Sequence, residues 1–126
     1  LPLGAAIVAE GLPASAGVGR GWVQVDIDNA LDAIDRNEPV VLVLETSAPS
    51  DMAAMVRSVA VVTVLGGRES HAAVVTRGAE VPAVLAVPGL QIAADHVMFG
   101  DVRVAVGDEL VVDGTTGRIA RPSTEG

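Results

Sequence analysis

Runs of apolar residues alternate along the chain with short polar segments and glycine-rich turns. Val40–Leu44 and Val59–Leu65 are almost continuously apolar, which is typical of strands buried on both faces of a sheet. Asn29–Asp35, Asp51–Ser58 and Ser70–Gly78 are predicted as short helices. Because strands and helices alternate in the middle of the chain, the pattern predicts an α/β domain with a mixed sheet and short helices.

Further strands are predicted toward both ends of the chain. They are Ala6–Ala9, Val18–Asp26, Val81–Val87, Val97–Val106, Glu109–Val112 and Arg118–Ala120. Gly11–Gly17 is predicted as a linker rich in turns, and Asp113–Gly117 as a hairpin turn. Asp28 and Ser50 are the predicted N-caps of the first two helices, and Gly78 is the predicted C-cap of the third.

The composition favours one folded domain with an aliphatic core. Half of the 126 residues are hydrophobic, 2% are aromatic and 19% are charged, so there is enough apolar surface to offset the entropy of ordering the chain. The apolar runs are far shorter than the roughly 18 residues of a membrane span. The net charge of −8 disfavours nucleic acid and anionic lipid as partners.

The absence of cysteine narrows the chemistry further. It excludes disulfides, cysteine-ligated metal centres and thiol catalysis. No signal or transit sequence is recognised at the start of the chain, and we expect a cytoplasmic location. The first residue is Leu rather than Met, so we also expect the chain to be a piece of a longer protein.

The residues that can carry chemistry are concentrated where a predicted strand meets a predicted helix. The segment Leu65–His71 (LGGRESH) passes from the strand, through two glycines, to a histidine in the first turn of the helix. A helix N-terminus offers unpaired N–H groups and a partial positive charge, which favour an anion such as phosphate. The glycines allow a sharp turn, and His71 can act as a nucleophile that carries a phosphoryl group.

Neighbouring side chains suit the same role. Ser70 is placed to cap the helix and to donate to a phosphate oxygen, and Arg68 and Arg77 are cations near the junction. A second interpretation stays open, because a histidine at a helix start is more often a surface or structural residue, and Gly66–Gly67 can be an ordinary tight turn. The segment is not a P-loop, since the lysine and the spacing of that motif are missing.

Several blocks of the chain, in order, resemble one known family. Gly66–Gly78 (GGRESHAAVVTRG) is similar to the GG-x-x-SHAA-hydrophobic-x-R signature of the phosphohistidine domain, a swivelling mobile domain of phosphoenolpyruvate (PEP)-utilising enzymes. That family includes pyruvate phosphate dikinase, PEP synthase and Enzyme I of the sugar phosphotransferase system. The other blocks that resemble it are Gly11–Gly17 (GLPASAG), Glu45–Met52 (ETSAPSDM), Val81–Val84 (VPAV) and Gly107–Gly117 (GDELVVDGTTG).

The resemblance, strongest to the dikinases, implies a swivelling β/β/α domain whose histidine carries a phosphoryl group between active sites on two other domains. By position, His71 is the phosphoryl acceptor, residues 11–121 form the domain, residues 1–10 are a linker from a preceding domain and residues 122–126 are a tail. ATP would phosphorylate the histidine, and the phosphoryl group would pass to pyruvate to form PEP, or the reverse. The expected partners are an ATP-binding domain and a domain that binds PEP or pyruvate. The chain would bind no cofactor or metal and would be inactive alone, with magnesium held by the partner domains.

The same resemblance implies supporting residues around His71. They are Gly66, Gly67, Arg68, Glu69, Ser70, Thr46 and Arg77. Thr46 follows a predicted buried strand, and its hydroxyl is expected to steady the imidazole. Glu69 stands where dikinases usually have threonine, and its carboxylate is expected either to orient the imidazole or to slow phosphorylation by repulsion.

Two alternative functions stay open at this point. One is the histidine domain of PEP synthase or of Enzyme I, since Arg68 and the Val81–Val84 block are closer to the Enzyme I pattern. The other is a non-catalytic module that retains the fold without phosphotransfer, which only Glu69 supports. The Asp113–Gly117 ending and the Glu45–Ser47 segment favour the dikinase interpretation.

Overall fold

The computed structural model describes residues 6–122, and this part of the chain forms three layers. A mixed sheet of eight strands lies in the middle, with helices on one face and a three-stranded antiparallel sheet on the other. This architecture confirms the predicted β/β/α class with a mixed sheet and short helices.

Eleven strands and three α-helices are found among residues 6–122. The strands are β1 (Ala6–Glu10), β2 (Leu12–Ser15), β3 (Val18–Gln24), β4 (Val40–Leu44), β5 (Ala60–Thr63), β6 (Ala83–Leu85), β7 (Leu90–Ile92), β8 (His96–Phe99), β9 (Val102–Ala105), β10 (Glu109–Asp113) and β11 (Arg118–Arg121). The helices are α1 (Ile27–Asp35), α2 (Met52–Arg57) and α3 (His71–Ala79), and a 3-10 turn at Pro49–Asp51 precedes α2.

The large sheet has the strand order β1-β11-β10-β3-β4-β5-β6-β2. Strands β3, β4, β5 and β6 run parallel to one another, and the remaining pairs are antiparallel. The loops that leave β4 and β5 therefore lie side by side at the edge formed by the carboxyl ends of these strands, which is where ligands bind in many open α/β sheets.

Two apolar cores lie on the two faces of the large sheet. Val40–Leu44 is buried along its whole length, as its continuous apolar run predicts. Leu42 packs on the helix side, in the same cluster as Met55 of α2. Val43 packs on the opposite side, in the same cluster as Phe99 of the small sheet. Because both faces are covered, the strands that lead to the two neighbouring loops are rigidly held.

The helix ends correct three predictions. Asp26, not Asp28, caps α1, because its backbone is extended and its carboxylate accepts a first-turn N–H at 3.0 Å. Ser50 lies inside the 3-10 turn rather than at the cap of α2. The C-cap of α3 is Glu80, in the left-handed conformation with φ 57°, and not Gly78.

The strands correct two further predictions. Gly11–Gly17, predicted as a linker, contains β2, which pairs with β6 at the edge of the sheet. Pro13 is tolerated there because an edge strand has one side without a ladder partner. Val97–Val106, predicted as one strand, is the pair β8 and β9, joined by a turn at Gly100 with φ 60°. The short strand β7 was not predicted.

The two ends of the described chain meet in the sheet. Strand β1 pairs with β11, which confirms the strand predicted at Ala6–Ala9 and places residues 6–10 of the predicted linker in the sheet. The hairpin turn at Asp113–Gly117 is also confirmed, since the Gly117 N–H donates to the Asp113 carbonyl at 2.8 Å. Residues 1–5 and 123–126 lie outside the described residues, so the domain boundaries stay predictions. Among residues 6–122, no helix has the length and apolar character needed to cross a membrane.

Candidate functional site

The candidate site lies where the parallel strands β4 and β5 end. In the register of these strands, Leu44 is opposite Thr63. The loop after β4 contains Ser47, and the loop after β5 leads to His71 at the start of α3. The topology therefore brings together two side chains that are 24 positions apart in the sequence.

His71 is the first residue of α3, and its side chain is half-buried. Its Nδ1 atom lies 2.9 Å from the Ser47 hydroxyl oxygen, which is a hydrogen bond whose direction depends on the tautomer of the ring. The other ring nitrogen, Nε2, makes no hydrogen bond with any residue in the described range 6–122. The imidazole is thus held at one nitrogen by a neutral partner and is free at the other.

The loop that leads to His71 needs only one of its two glycines for backbone reasons. Gly66 has φ 124°, a conformation that L side chains rarely adopt, and a Cβ there would lie 3.3 Å from the Ser70 hydroxyl oxygen. A Cβ at Gly67 would meet nothing within 4 Å. The Thr63 hydroxyl donates to the Leu65 carbonyl and fixes the point at which the chain leaves β5.

Ser70 is the N-cap of α3, as predicted. Its hydroxyl oxygen accepts from the Ala73 N–H at 3.3 Å, and its hydroxyl proton is donated to the Gly67 carbonyl at 2.7 Å. A serine has one O–H to donate. In this structure the Gly67 carbonyl accepts that proton, so the predicted donation to a phosphate oxygen would require the Ser70 hydroxyl to turn away from Gly67.

Two backbone N–H groups at the N-terminus of α3 are unpaired in the described part of the chain. The backbone N–H groups of His71 and Ala72 have no hydrogen-bond partner within residues 6–122. Such groups, together with the partial positive charge of a helix start, favour negative charge by about 0.3–1 kcal/mol at an exposed site. Arg68 and Glu69 are exposed in the preceding loop.

Arg77 is exposed, and its guanidinium contacts two backbone carbonyls. Its Nη2 donates to the carbonyl of Arg68 at 2.8 Å, and its Nη1 donates to the carbonyl of Ala14 at 3.4 Å. The structure therefore uses the guanidinium to connect the loop before His71 with strand β2.

The hydroxyl that contacts the imidazole is that of Ser47, not that of Thr46 as the resemblance predicts. Thr46 is exposed in the loop after β4. Both residues belong to the Glu45–Met52 block, so the resemblance located the segment. The direction of a side chain in an irregular loop has no periodicity, and the sequence pattern offered no signal to choose between the two hydroxyls.

The second histidine, His96, lies in the small sheet at the start of β8. Its Nδ1 is 2.7 Å from a carboxylate oxygen of Asp95, and this hydrogen bond lowers the pKa of Asp95 below its ordinary value. No group of three or more His, Cys, Asp or Glu side chains in the described part of the chain is arranged to hold a metal ion.

Comparison with curated proteins finds relatives that share most of this chain. The pyruvate, phosphate dikinase of Entamoeba histolytica is 36% identical over 112 residues, which are 87% of this chain and 12% of that protein. The pyruvate, phosphate dikinase of Clostridium symbiosum is 35% identical over 121 residues, which are 94% of this chain and 14% of that protein. The chain therefore spans only about an eighth of the length of these relatives.

Two further comparisons concern a solved structure and a family model. The NMR solution structure of the Enzyme I protein nEIt has a TM-score of 0.48 and 31% identity, over 70% of this chain and 33% of that one. Residues 36–117 match the model of the family described as "PEP-utilising enzyme, mobile domain". The chain belongs to the family of mobile domains of PEP-utilising enzymes.

Proposed function

We propose that this chain is the phosphoryl-carrying domain of a cytoplasmic enzyme similar to pyruvate, phosphate dikinase, and that His71 is phosphorylated at Nε2. The observation that carries the proposal is the hydrogen bond between His71 Nδ1 and Ser47 at the open N-terminus of α3. Membership of the mobile-domain family and the identity of 31–36% with dikinases over most of the chain support it.

The tautomer follows from the proposed chemistry. When Nδ1 carries the proton and donates it to the Ser47 hydroxyl oxygen, Nε2 has its lone pair in the ring plane and available for attack. A neutral imidazole in this state is a nucleophile. The same hydrogen bond fixes the rotation of the ring, so that Nε2 is presented in one direction.

The transfer at His71 is a substitution at phosphorus. The Nε2 lone pair forms an N–P bond as the P–O bond of the donor breaks, and the leaving oxygen keeps the electron pair. With ATP as donor, the β,γ-pyrophosphoryl group is taken up and its γ-phosphate passes to inorganic phosphate. Pyruvate then loses a methyl proton to a base in the domain that binds it, and the resulting enolate oxygen attacks the remaining phosphoryl group. The N–P bond breaks, its electron pair returns to Nε2, and PEP is formed. The unpaired N–H groups of His71 and Ala72 support this proposal, because N–H groups at a helix start stabilise negative charge.

The remaining parts of such an enzyme must come from outside this chain. Since the chain corresponds to 12–14% of its dikinase relatives, we assign ATP binding, pyruvate or PEP binding and the magnesium that they need to other domains of a longer protein or to separate chains. A small rigid domain on linkers can visit both sites, and the linker length then sets its effective concentration at each.

Labelling with two donors tests the proposal. The chain is supplied with active partner domains, or used within its parent protein, and incubated with ATP labelled at the β-phosphate or with labelled PEP. His71→Ala is compared with His96→Ala as the matched control, since the chain has two histidines. We expect acid-labile, alkali-stable label from both donors in the wild type and in His96→Ala, and none in His71→Ala. NMR of the labelled histidine should show phosphorus on Nε2.

Other outcomes point elsewhere. A phosphate requirement for clearing the pyrophosphoryl form would select a dikinase over a PEP synthase. Label from PEP alone would indicate the Enzyme I type of reaction. No label from either donor, with partners shown to be active, would leave a module that has kept the fold and lost the chemistry.

A further inference from the structure

We propose that Arg77 is a positioning residue, whose guanidinium holds the loop in front of His71. The inference rests on the proposed function, because it concerns phosphoryl transfer at His71. It gives Arg77 a role other than the predicted phosphate contact, and it is carried by the two carbonyl contacts of the guanidinium.

The first contact reaches the loop itself. Side chains on a helix lean toward its N-terminus, and Arg77 extends from the last turns of α3 back to the carbonyl of Arg68 at 2.8 Å. Within residues 6–122 this is the one hydrogen bond made to the backbone of Arg68 or Glu69. The peptide between Arg68 and Glu69 is therefore held by a side chain rather than by the backbone of the loop.

The second contact anchors the same guanidinium to the sheet. Its Nη1 donates to the carbonyl of Ala14 at 3.4 Å, and Ala14 is a buried residue of β2. A planar guanidinium has donors in a fixed fork, so one group can bridge two carbonyls that belong to different elements. The loop is thus linked to strand β2 as well as to α3.

The loop needs such a support because its own backbone is weakly restrained. It contains two adjacent glycines, and the space around Gly67 is open. Its internal hydrogen bonds join Ser70 to the Gly67 carbonyl, and none of them involves the peptide between Arg68 and Glu69. A displacement of that peptide would shift the cap of α3 and with it the ring of His71. Misplacement of a reacting group by about 1 Å can cost about 100-fold in rate.

Three variants distinguish the support that the guanidinium gives to the loop from the effect of its positive charge. Arg77→Met removes both, and Arg77→Lys keeps the charge but replaces the fork with a single ammonium group. Arg68→Gln is the matched control, because it removes a cation from the same loop and keeps the carbonyl that Arg77 contacts. Arg77 is itself exposed, so its replacement leaves no buried cavity, and we expect all three variants to fold.

Two readouts are measured on each variant. The first is kcat and KM for phosphoryl uptake from labelled PEP with active partner domains. The second is hydrogen exchange of the Ser70 amide, which donates to Gly67 at 3.1 Å and reports opening of the loop. We expect kcat to fall by about 10-fold or more in both Arg77 variants with KM little changed. Ser70 exchange should be faster in both, and Arg68→Gln should leave that exchange unchanged.

Each contrary result has its own meaning. Full activity in Arg77→Lys would show that charge, not the fork, is what matters, and unchanged Ser70 exchange in Arg77→Met would show that the loop is not held by this residue. Either result overturns the positioning role while a labelled wild type leaves the proposed function standing. A wild type that takes up no phosphoryl group from any donor removes the proposed function, and the positioning role for that reaction with it.

Discussion

The two histidines of the chain both make a hydrogen bond at Nδ1, but they differ in the partner of that bond and in the element that they begin. In each, Nδ1 is hydrogen-bonded to a neighbouring oxygen, at 2.9 Å for His71 and 2.7 Å for His96. The partner of His71 is the neutral hydroxyl of Ser47, and the partner of His96 is the carboxylate of Asp95. His71 begins a helix, whereas His96 begins a strand.

This difference leads us to expect phosphoryl transfer at His71 rather than at His96. A phosphoryl group on His71 would lie beside unpaired N–H groups at the positive end of α3. A phosphoryl group on His96 would add negative charge to a ring that is already hydrogen-bonded to the Asp95 carboxylate. Like charges at short distance repel. The helix start and the neutral partner together distinguish the two sites.

The largest effect is expected from the turn that leads to His71. Gly66→Ala should destabilise the chain by about 1–2 kcal/mol, because alanine is strained at φ 124° and its Cβ would lie 3.3 Å from the Ser70 hydroxyl oxygen. Gly67→Ala is the matched control, since its Cβ would enter open space, and its effect should be within about 0.5 kcal/mol. Urea unfolding of both variants measures the difference. Equal destabilisation would mean that the turn does not depend on the conformation of Gly66.

The next effect concerns the neutral partner of His71. Ser47→Ala removes the hydrogen bond at Nδ1, and a bond of this kind contributes about 1 kcal/mol, which corresponds to about 5-fold in rate. Phosphoryl uptake should fall by that factor with little loss of stability. Ser47→Thr keeps the hydroxyl and should restore the rate, and Asp95→Asn, at the other histidine, should leave uptake unchanged. If Ser47→Ala and the wild type take up label at the same rate, the hydroxyl does not orient the ring.

The sequence predicts the strands and the helix cap that surround this site better than it predicts the side-chain contacts within it. Strand β4 was found because a strand covered on both faces has to be apolar throughout, and Ser70 was found because helix caps have a residue preference. Strand β2 was missed because its residues are typical of turns, and only pairing with β6 makes them a strand.

The contacts of Ser47 and Arg77 depend on tertiary structure in a different way. Ser47 meets His71 because two parallel strands end side by side, and Arg77 meets backbone carbonyls of Arg68 and Ala14. Carbonyl groups are present at every residue, so a contact with one of them leaves no trace in the sequence. The residue types predict the histidine and its helix, whereas the tertiary structure determines which side chains contact them.

The smallest effect is expected at His96, from the pH dependence of stability. Since the hydrogen bond from His96 lowers the pKa of Asp95 below its ordinary value of 3.8 in the folded chain, the pair stabilises the fold fully above that ordinary value. This contribution is lost as the pH falls through the lower, folded-state pKa. The Asp95 side chain is 79% exposed, so water screens the interaction and the gain in stability is small.

The Tm of wild type should exceed that of Asp95→Asn near pH 6, and the difference should narrow as the pH falls below 3.8. The pKa of Glu109 is also lowered, by the hydrogen bond from Arg20, and this contribution is common to both proteins and cancels in the comparison. A Tm difference that stays constant from pH 6 to well below pH 3.8 would show that His96 does not stabilise the ionised carboxylate of Asp95. The contrast between the two histidines would then rest on the helix start alone.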